Sequence, residues 1–206
     1  MADIIEFPGE RAGSLEQRLL VAQEAQLHVV VGRTIPESDD ILGHVVAVGD
    51  GWVAMVRLSD RLSPDGWTFV PLDDVHQVSV DADPDCFPNR ALRARGHWPP
   101  TVPDRPELGS VRSAIETAAR SSPLVTLFRE LENPDSCVIG TLVDLDDDRV
   151  GMRLITPEAV WETDTTSYDL DDITRVECGG GYEEALHLAV ELLPSAPGPS
   201  GHTVPT

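Results

Sequence analysis

Two pairs of adjacent aspartates are the first residues of the sequence that could do chemistry. Asp73-Asp74 and Asp171-Asp172 stand in similar surroundings, Leu-Asp-Asp-Val and Leu-Asp-Asp-Ile. Two carboxylates can bind a divalent cation or share a proton in acid–base catalysis. Adjacent residues on an extended segment point to opposite faces, however, so neither pair would converge on one ion. We expect these aspartates to cap one-turn helices, and a metal-dependent enzyme that uses them stays an alternative.

Other patterns of catalytic or metal-binding residues are missing from the sequence. The aspartate-rich segment 144–148 has Arg149 and Ile155 where a calcium loop needs glycine and glutamate. The six histidines and three cysteines show no paired spacing of the kind that builds a zinc site. No Gly-x-Ser-x-Gly elbow and no phosphate-binding glycine loop is present. We therefore expect no cofactor and no enzymatic activity.

The charge of the chain is strongly acidic. It has 36 acidic and 15 basic residues, all of the basic ones arginine, and a formal net charge of −21. Nucleic-acid binding normally needs a basic face, so we do not expect it. The alternative, an RNA or nucleotide binder, requires that five arginines gather on one face: Arg57, Arg61, Arg149, Arg153 and Arg175. An acidic chain suits a basic protein partner, although solubility or a salt-rich cytoplasm is the simpler explanation of the charge.

An internal duplication is the most informative feature of the sequence. At an offset of 97 residues, Gly43 meets Gly140 and Met55 meets Met152, with similar apolar residues around them. After one inserted residue, the two Leu-Asp-Asp segments also align. We infer two copies of one unit at residues 14–95 and 111–193, joined by a proline-rich connector at 96–110. Residues 194–206 are predicted to be a disordered tail.

The same order of elements is predicted in both copies. A helix that begins after Ser14 or Ser110 comes first, and a strand over 27–35 or 124–131 follows it. A hairpin comes next, over 41–58 in the first copy and 138–155 in the second. A variable loop then leads to a short fourth strand, a Leu-Asp-Asp turn and a fifth strand. The periodicity thus predicts a mainly β fold with flanking helices, in the α+β class.

The second and third strands resemble those of Sm-like proteins. Gly140-Thr-Leu142-Val-Asp-Leu-Asp146 followed by alternating apolar residues is similar to the first Sm motif, whereas the first copy has Gly49 in place of the aspartate. The resemblance implies two tandem, five-stranded barrels of the Sm or SH3 kind. It does not imply RNA binding, because the RNA-reading asparagine and the second motif, Ile-Arg-Gly, have no counterpart. Sm-like units associate edge to edge, so we expect a monomer with an internal pseudo-dimer, or a homo-oligomer.

Two stretches, 91–100 and 172–186, resemble uncharacterised proteins found mainly in actinobacteria, a resemblance that implies no function.

No apolar run approaches the roughly 20 residues that span a bilayer, and the first residues lack a basic leader before an apolar stretch. We expect a cytoplasmic protein with no membrane partner.

Three tryptophans are the candidate partner-binding residues. Trp52, Trp67 and Trp161 have no aromatic counterpart in the other copy, so the shared core does not require them. Trp67 and Trp161 are predicted to lie in the variable loops, where binding residues concentrate. The alternative is that each covers an edge of its own unit or the junction between copies. The leading hypothesis is a non-enzymatic, acidic protein-binding module of the bacterial cytoplasm, of accessory, regulatory or immunity type.

Overall fold

Serine side chains start the helix that opens each half of the chain. In the computed structural model, which describes residues 14–192, Ser14 caps α1 (Leu15–Glu24) and Ser110 caps α3 (Val111–Ser121). Each cap accepts a backbone N–H that would otherwise lack a partner in the first helical turn. Two further helices follow the last strand of each half: α2 (Phe87–Ala94) and α4 (Gly181–Leu192).

Ten strands lie between these helices, five in each half. The first half contains β1 (His28–Arg33), β2 (Ile41–Val48), β3 (Trp52–Leu58), β4 (Pro64–Pro71) and β5 (Val75–Val80). The second half contains β6 (Val125–Phe128), β7 (Cys137–Leu145), β8 (Arg149–Ile155), β9 (Trp161–Asp169) and β10 (Arg175–Cys178). One-turn 3₁₀ helices, Leu72–Asp74 and Leu170–Asp172, precede the fifth strand of each half.

All ten strands form one antiparallel sheet. Its order is β5-β1-β2-β3-β4-β10-β6-β7-β8-β9, so the fifth, first, second, third and fourth strands of each half follow one another in the same sequence. The two halves meet where β4 pairs with β10, and β5 and β9 are the outer edges. The predicted mainly β fold of the α+β class is confirmed.

Glycines at matching positions bring the second and third strands of each half close together. A Cβ on Gly43 would lie 1.9 Å from the carbonyl oxygen of Val56, and one on Gly140 would lie 2.3 Å from that of Arg153. Real Cβ atoms do not approach a backbone oxygen that closely, so each position requires glycine. Close packing of the second and third strands therefore explains why both copies of the sequence have glycine at this position.

The apolar core of the described residues divides into three clusters, and the largest of them spans both halves. In the first half, Leu19 and Ala22 of α1 pack onto the inner residues of the first sheet half, including Met55 and Val70. The largest cluster combines α3 and the second half with residues of β2, β3 and β4, among them Phe69. Because these strands belong to the first half, burial of this cluster also holds the halves together.

The connector packs on the first half rather than spanning open space. The carbonyl oxygen of Leu108 accepts hydrogen bonds from the backbone N–H groups of Gly51, at 3.1 Å, and Trp52, at 2.9 Å. The side chain of Leu108 is buried. Nearer the start of the connector, Trp67 Nε1 donates to the carbonyl oxygen of Thr101. These contacts fix the connector along its length.

Two local predictions are wrong. The fourth strand of each half is longer than expected and includes Trp67 and Trp161, because residues assigned to the variable loops continue the pairing with β3 and β8. Asp73 and Asp171 do not cap the one-turn helices, since they lie inside those turns and no side chain caps either turn.

The predicted tail, 194–206, lies outside the described residues. Within residues 14–192, no helix combines the length and apolar character needed to cross a bilayer.

Candidate functional site

The junction between the halves is built from buried strand residues. Phe69 of β4 pairs with Val176 of β10, and both are fully buried. Gly66, at the start of the same contact, has a φ of +77°, and a Cβ there would lie 2.4 Å from the carbonyl oxygen of Cys178. The left-handed backbone and the close approach both require glycine at this position. The junction is therefore as tightly packed as the interior of either half.

An ionic cluster lies beside this junction. Arg33 of β1 donates two hydrogen bonds to Glu130, at 2.6 and 2.7 Å, and the two side chains are 1% and 5% exposed. Thr174 Oγ1 also donates to Glu130, at 2.7 Å, and the guanidinium of Arg175 lies 3.2 Å from the same carboxylate. A buried carboxylate held by this many donors has its charge compensated inside the protein.

The pKa of Glu130 reflects these contacts. Burial raises the pKa, but the hydrogen bond from Arg33 and the charge of Arg175 outweigh burial, so the pKa lies below its ordinary value. Glu177 of β10 is different, because burial dominates and raises its pKa even though Arg175 and Arg57 pair with it. Glu130 and Glu177 of the second half, together with Asp65 of β4, thus balance the positive charges of the three arginines.

A cleft of about 520 Å³ opens next to the ionic cluster. Its walls come from the start of β2, the end of β3, the turn that follows β3 and the start of β4, and Arg175 of the second half completes the lining. The apolar part of the lining is Ile41, Leu42, Leu58 and Leu62. The carboxylates of the lining are Asp39, Asp40, Asp60 and Asp65.

The charges of this cleft are unbalanced toward the negative. Its two arginines are neutralised by the carboxylates of the ionic cluster, and Asp65 pairs with Arg57 at 3.4 Å. In the part of the chain that the structure describes, Asp39, Asp40 and Asp60 form no ion pair. All three are exposed at the mouth of the cleft. The site can therefore accept a cationic group whose apolar stem lies against leucine side chains.

Two histidines on the neighbouring strands β1 and β2 are in edge-to-face contact. The ring centroids of His28 and His44 lie 5.7 Å apart, and Trp98 of the connector lies at the same distance on the other side of His44. His44 Nε2 lies 2.7 Å from Asn89 Oδ1. The two amide protons of Asn89 go to the carbonyl oxygens of Gln26 and Pro84, so its oxygen accepts and His44 Nε2 donates.

Burial lowers the pKa of both histidines. For His28 the charge of His44 lowers the pKa further, while Asp81 opposes the shift. For His44 the hydrogen bond to Asn89 opposes the shift without cancelling it. Burial therefore favours the neutral form of both rings. His28 also lines the cleft, which links the histidine pair to the site.

The aspartate pairs lie apart from the cleft lining. Asp74 accepts a hydrogen bond from Thr34 through its backbone carbonyl, at 2.7 Å, and burial raises the pKa of its side chain. Asp73 and Asp171 are exposed, and Asp172 is half-buried. Within residues 14–192, no group of three or more histidine, cysteine, aspartate or glutamate side chains is arranged to hold a metal ion.

The candidate tryptophans have different positions. Trp52 is only 5% exposed and belongs to the largest core cluster, so it offers no surface to a partner. Trp67 lies at the junction, where it pairs with Cys178. Trp161 packs beside Leu186 of α4, and the guanidinium of Arg153 lies over its ring. The alternative interpretation, that tryptophans cover the junction or an edge, describes Trp67 and Trp161.

The five candidate arginines do not gather on one face. Arg57 and Arg175 meet at Glu177 beside the cleft. Arg149 and Arg153 lie on β8, which β6 and β7 separate from β10 in the sheet. Arg61 is exposed in the turn after β3. The two arginines that do meet are already paired with carboxylates.

The cysteines do not supply a nucleophile. Burial raises the pKa of Cys178 to about 12, and the pKa values of Cys86 and Cys137 are raised for the same main reason. A nucleophilic cysteine requires the opposite shift, since the thiolate is the reactive form. All three remain free thiols.

The aspartates of the cleft were not identified from the sequence. Asp39 and Asp40 lie just before the predicted hairpin, and Asp60 and Asp65 lie in the segment assigned to a variable loop. The hairpin brings its two flanking segments together, but nothing in the sequence places Arg175 beside them. The excess of acidic residues was the one available signal, and it does not show which of the acidic residues line a cleft.

Comparison of the chain with protein-family models, with curated proteins and with solved structures found no match.

Proposed function

We propose that the protein is a non-enzymatic protein-binding module of the bacterial cytoplasm, and that it holds a basic segment of its partner in the acidic cleft. The observation that supports this most directly is the cleft of about 520 Å³ with three carboxylates that form no ion pair within the described residues. Pockets of this size accommodate a few side chains or a small ligand. An accessory, regulatory or immunity-type role would use such a site.

An arginine or lysine side chain fits the chemistry of the cleft. Its charged end would donate hydrogen bonds to Asp39, Asp40 or Asp60, and bonds of this kind are stronger than those between neutral groups. Its methylene stem would lie against Leu42 and Leu58, as such stems do on apolar surface. A free anion or phosphate would instead meet repulsion from the same carboxylates.

The net charge of −21 also affects the rate at which the protein associates with a basic partner. A negative field attracts a basic protein and raises the association rate at low salt. Ions screen this field, with a Debye length of about 8 Å at physiological ionic strength. Binding should therefore weaken as salt is added.

The test is a pull-down from the native host at low salt, with half of each sample treated with nuclease. The bait is the wild type, a cleft variant with Asp39→Asn, Asp40→Asn and Asp60→Asn, or a control variant. The control carries Asp50→Asn, Asp135→Asn and Asp171→Asn, which changes three exposed aspartates away from the cleft lining. Because both variants have the same net charge, a difference between them reports the position of the charge.

We expect a protein that the wild type and the control retain, that the cleft variant loses, and that survives nuclease. Equal retention by the two variants would contradict the proposal, since it would place binding outside the cleft. Recovery of RNA that nuclease removes would support the RNA-binding alternative instead.

The finer structural proposal is that each half is a Sm-like barrel. A helix followed by five antiparallel strands, with a one-turn helix before the fifth, supports it in both halves. RNA binding does not follow from that likeness, because Arg57 and Arg175 are paired with carboxylates.

A further inference from the structure

Helix α4 has an apolar face that the described chain leaves uncovered. Its inward side packs through Leu186 against Ile155 and Trp161, and Glu183 accepts a hydrogen bond from Thr126 at 2.6 Å. The exposed apolar residues of the helix are Tyr182, Ala185, Leu188, Ala189 and Leu192. At about 100° per residue these five positions cover an arc of about 120°, which is the width of a helix-packing face.

The shape of this face suits another helix. Ala185 and Ala189 lie one turn apart in the middle, where small side chains allow a second helix to approach closely. Tyr182, Leu188 and Leu192 surround them and are 55%, 54% and 84% exposed. Tyr182, Ala185, Ala189 and Leu192 also follow the alternating three- and four-residue spacing of a coiled-coil seam.

The border of the face is acidic. Glu184 and Glu191 are the remaining exposed side chains of α4, and both lie on the border next to Leu188. The first turn of the helix leads to the cleft, because Gly181 donates its backbone N–H to Asp65 at 2.9 Å. Tyr182, the next residue, thus lies at the edge of the acidic cleft. The apolar face therefore begins one residue from a contact with the cleft lining.

We infer that the α4 face binds an amphipathic helix of the partner whose apolar side is bordered by arginine or lysine. Basic borders would complement Glu184 and Glu191 and would continue toward the carboxylates of the cleft. A second copy of the chain is disfavoured, since two such faces would bring their acidic borders together. An anionic membrane is disfavoured for the same electrostatic reason. This inference rests on the proposed function, because it describes the segment that the cleft would hold.

The experiment uses the full chain and two designed peptides about five turns long. Both carry leucine at the seam positions, and one has arginine at the bordering positions where the other has glutamate. Fluorescence anisotropy measures the binding of each peptide to the wild type and to Ala185→Glu with Ala189→Glu. Leu131→Glu is the control, because it places the same side chain on another exposed apolar residue.

We expect the arginine peptide to bind the wild type and the control, and the glutamate peptide not to bind. The double variant should weaken binding of the arginine peptide about tenfold or more. Its two added negative charges attract that peptide, so a loss of affinity reports the blocked apolar face rather than a change of charge. Unchanged affinity would overturn the inference. So would sedimentation of the wild type as a dimer that the double variant abolishes, or binding to anionic vesicles.

A short peptide, acetyl-Ala-Arg-Ala-Arg-Ala-amide, separates this inference from the proposed function. If that peptide binds the wild type but not the cleft variant, while the double variant binds the helical peptide normally, only the inference about α4 is wrong. If the cleft variant binds the short peptide as well as the wild type does, the proposed function is wrong.

Discussion

Arg33 and Glu130 form a buried, two-fold hydrogen-bonded ion pair, with distances of 2.6 and 2.7 Å, and they lie 97 residues apart. That separation equals the offset at which the two halves of the sequence align. Equivalent positions of the two halves therefore carry opposite charges and contact each other. The pair joins the halves at a place where the sheet itself does not, since β1 and β6 are not neighbours in the sheet.

Breaking this ion pair should destabilise the protein strongly. Arg33→Met leaves Glu130 buried with less compensation, and we expect the free energy of unfolding to fall by about 3 kcal/mol. Adding Glu130→Met removes the buried carboxylate that has lost its partner, and should restore part of the free energy of unfolding. Urea unfolding of the two single variants and the double variant measures the coupling. Arg112→Met, which breaks more exposed ion pairs, should cost less than about 0.5 kcal/mol. If Arg33→Met lowers the free energy of unfolding by as little as Arg112→Met does, the buried ion pair is not important for stability.

The contact between His28 and His44 should make stability depend on pH. The pKa of His44 is lower in the folded protein than its ordinary value of 6.5, so the unfolded chain binds more protons near that pH. Stability contributed by the neutral ring is therefore present above pH 6.5 and decreases as the pH falls below it. The thermal midpoint should drop between about pH 7.5 and pH 5.5.

The variant that tests this pH dependence is His44→Gln, whose amide can replace the hydrogen bond to Asn89. We expect a smaller drop in the midpoint than in the wild type. Glu177 acts in the opposite sense, because its raised pKa makes the folded protein bind more protons as the pH falls. Glu177 is common to both proteins, so the difference between them reports His44 together with its effect on the pKa of His28. His76→Gln, at an exposed position, should leave the drop unchanged. Equal drops in His44→Gln and the wild type would rule out this cause.

The matching glycines should not tolerate alanine. Gly43→Ala and Gly140→Ala each place a methyl group against a backbone oxygen, so we expect each to cost at least about 2 kcal/mol. Gly109→Ala should be close to neutral, because a Cβ there meets nothing within 4 Å. Chemical denaturation of the three variants makes the comparison. If Gly43→Ala lowers the free energy of unfolding as little as Gly109→Ala does, the close approach of the two strands contributes nothing to stability, and the prediction is wrong.

The outer strand edges should not extend the sheet with further copies. At the junction, β4 presents Trp67 and Phe69 to β10, whereas β9 has Thr165 and Ser167 at the corresponding positions. The apolar side chains that hold the junction are thus missing from the free edge, and edge charges oppose association. Sedimentation velocity should show a monomer. Thr165→Trp with Ser167→Phe should promote association, and a wild type that already oligomerises through β9 would contradict this expectation.

Sequence periodicity predicted the element order because local apolar patterns and turn residues determine it. Ser14 and Ser110 each cap the helix that follows them, and Gly43 and Gly140 each contact the other strand of their own hairpin. The hairpin of β2 and β3 brings Asp40 and Asp60 near each other, but the complete cleft could not be predicted, because Arg175 reaches it only when β4 pairs with β10. The same holds for Arg33 and Glu130, whose alignment was visible but whose contact depends on the arrangement of the two halves. Trp67 was assigned to a loop because the long fourth strand has little apolar alternation before residue 67.

The central claim is that the acidic cleft binds a basic segment. The most direct measurement is a backbone amide NMR titration of the full chain with acetyl-Ala-Arg-Ala-Arg-Ala-amide at low salt, repeated with the variant Asp39→Asn, Asp40→Asn, Asp60→Asn. We predict saturable shifts concentrated at residues 39–42 and 57–65, which disappear in the variant. Shifts that spread without saturation over all acidic surfaces, or that are the same in the variant, would contradict the claim.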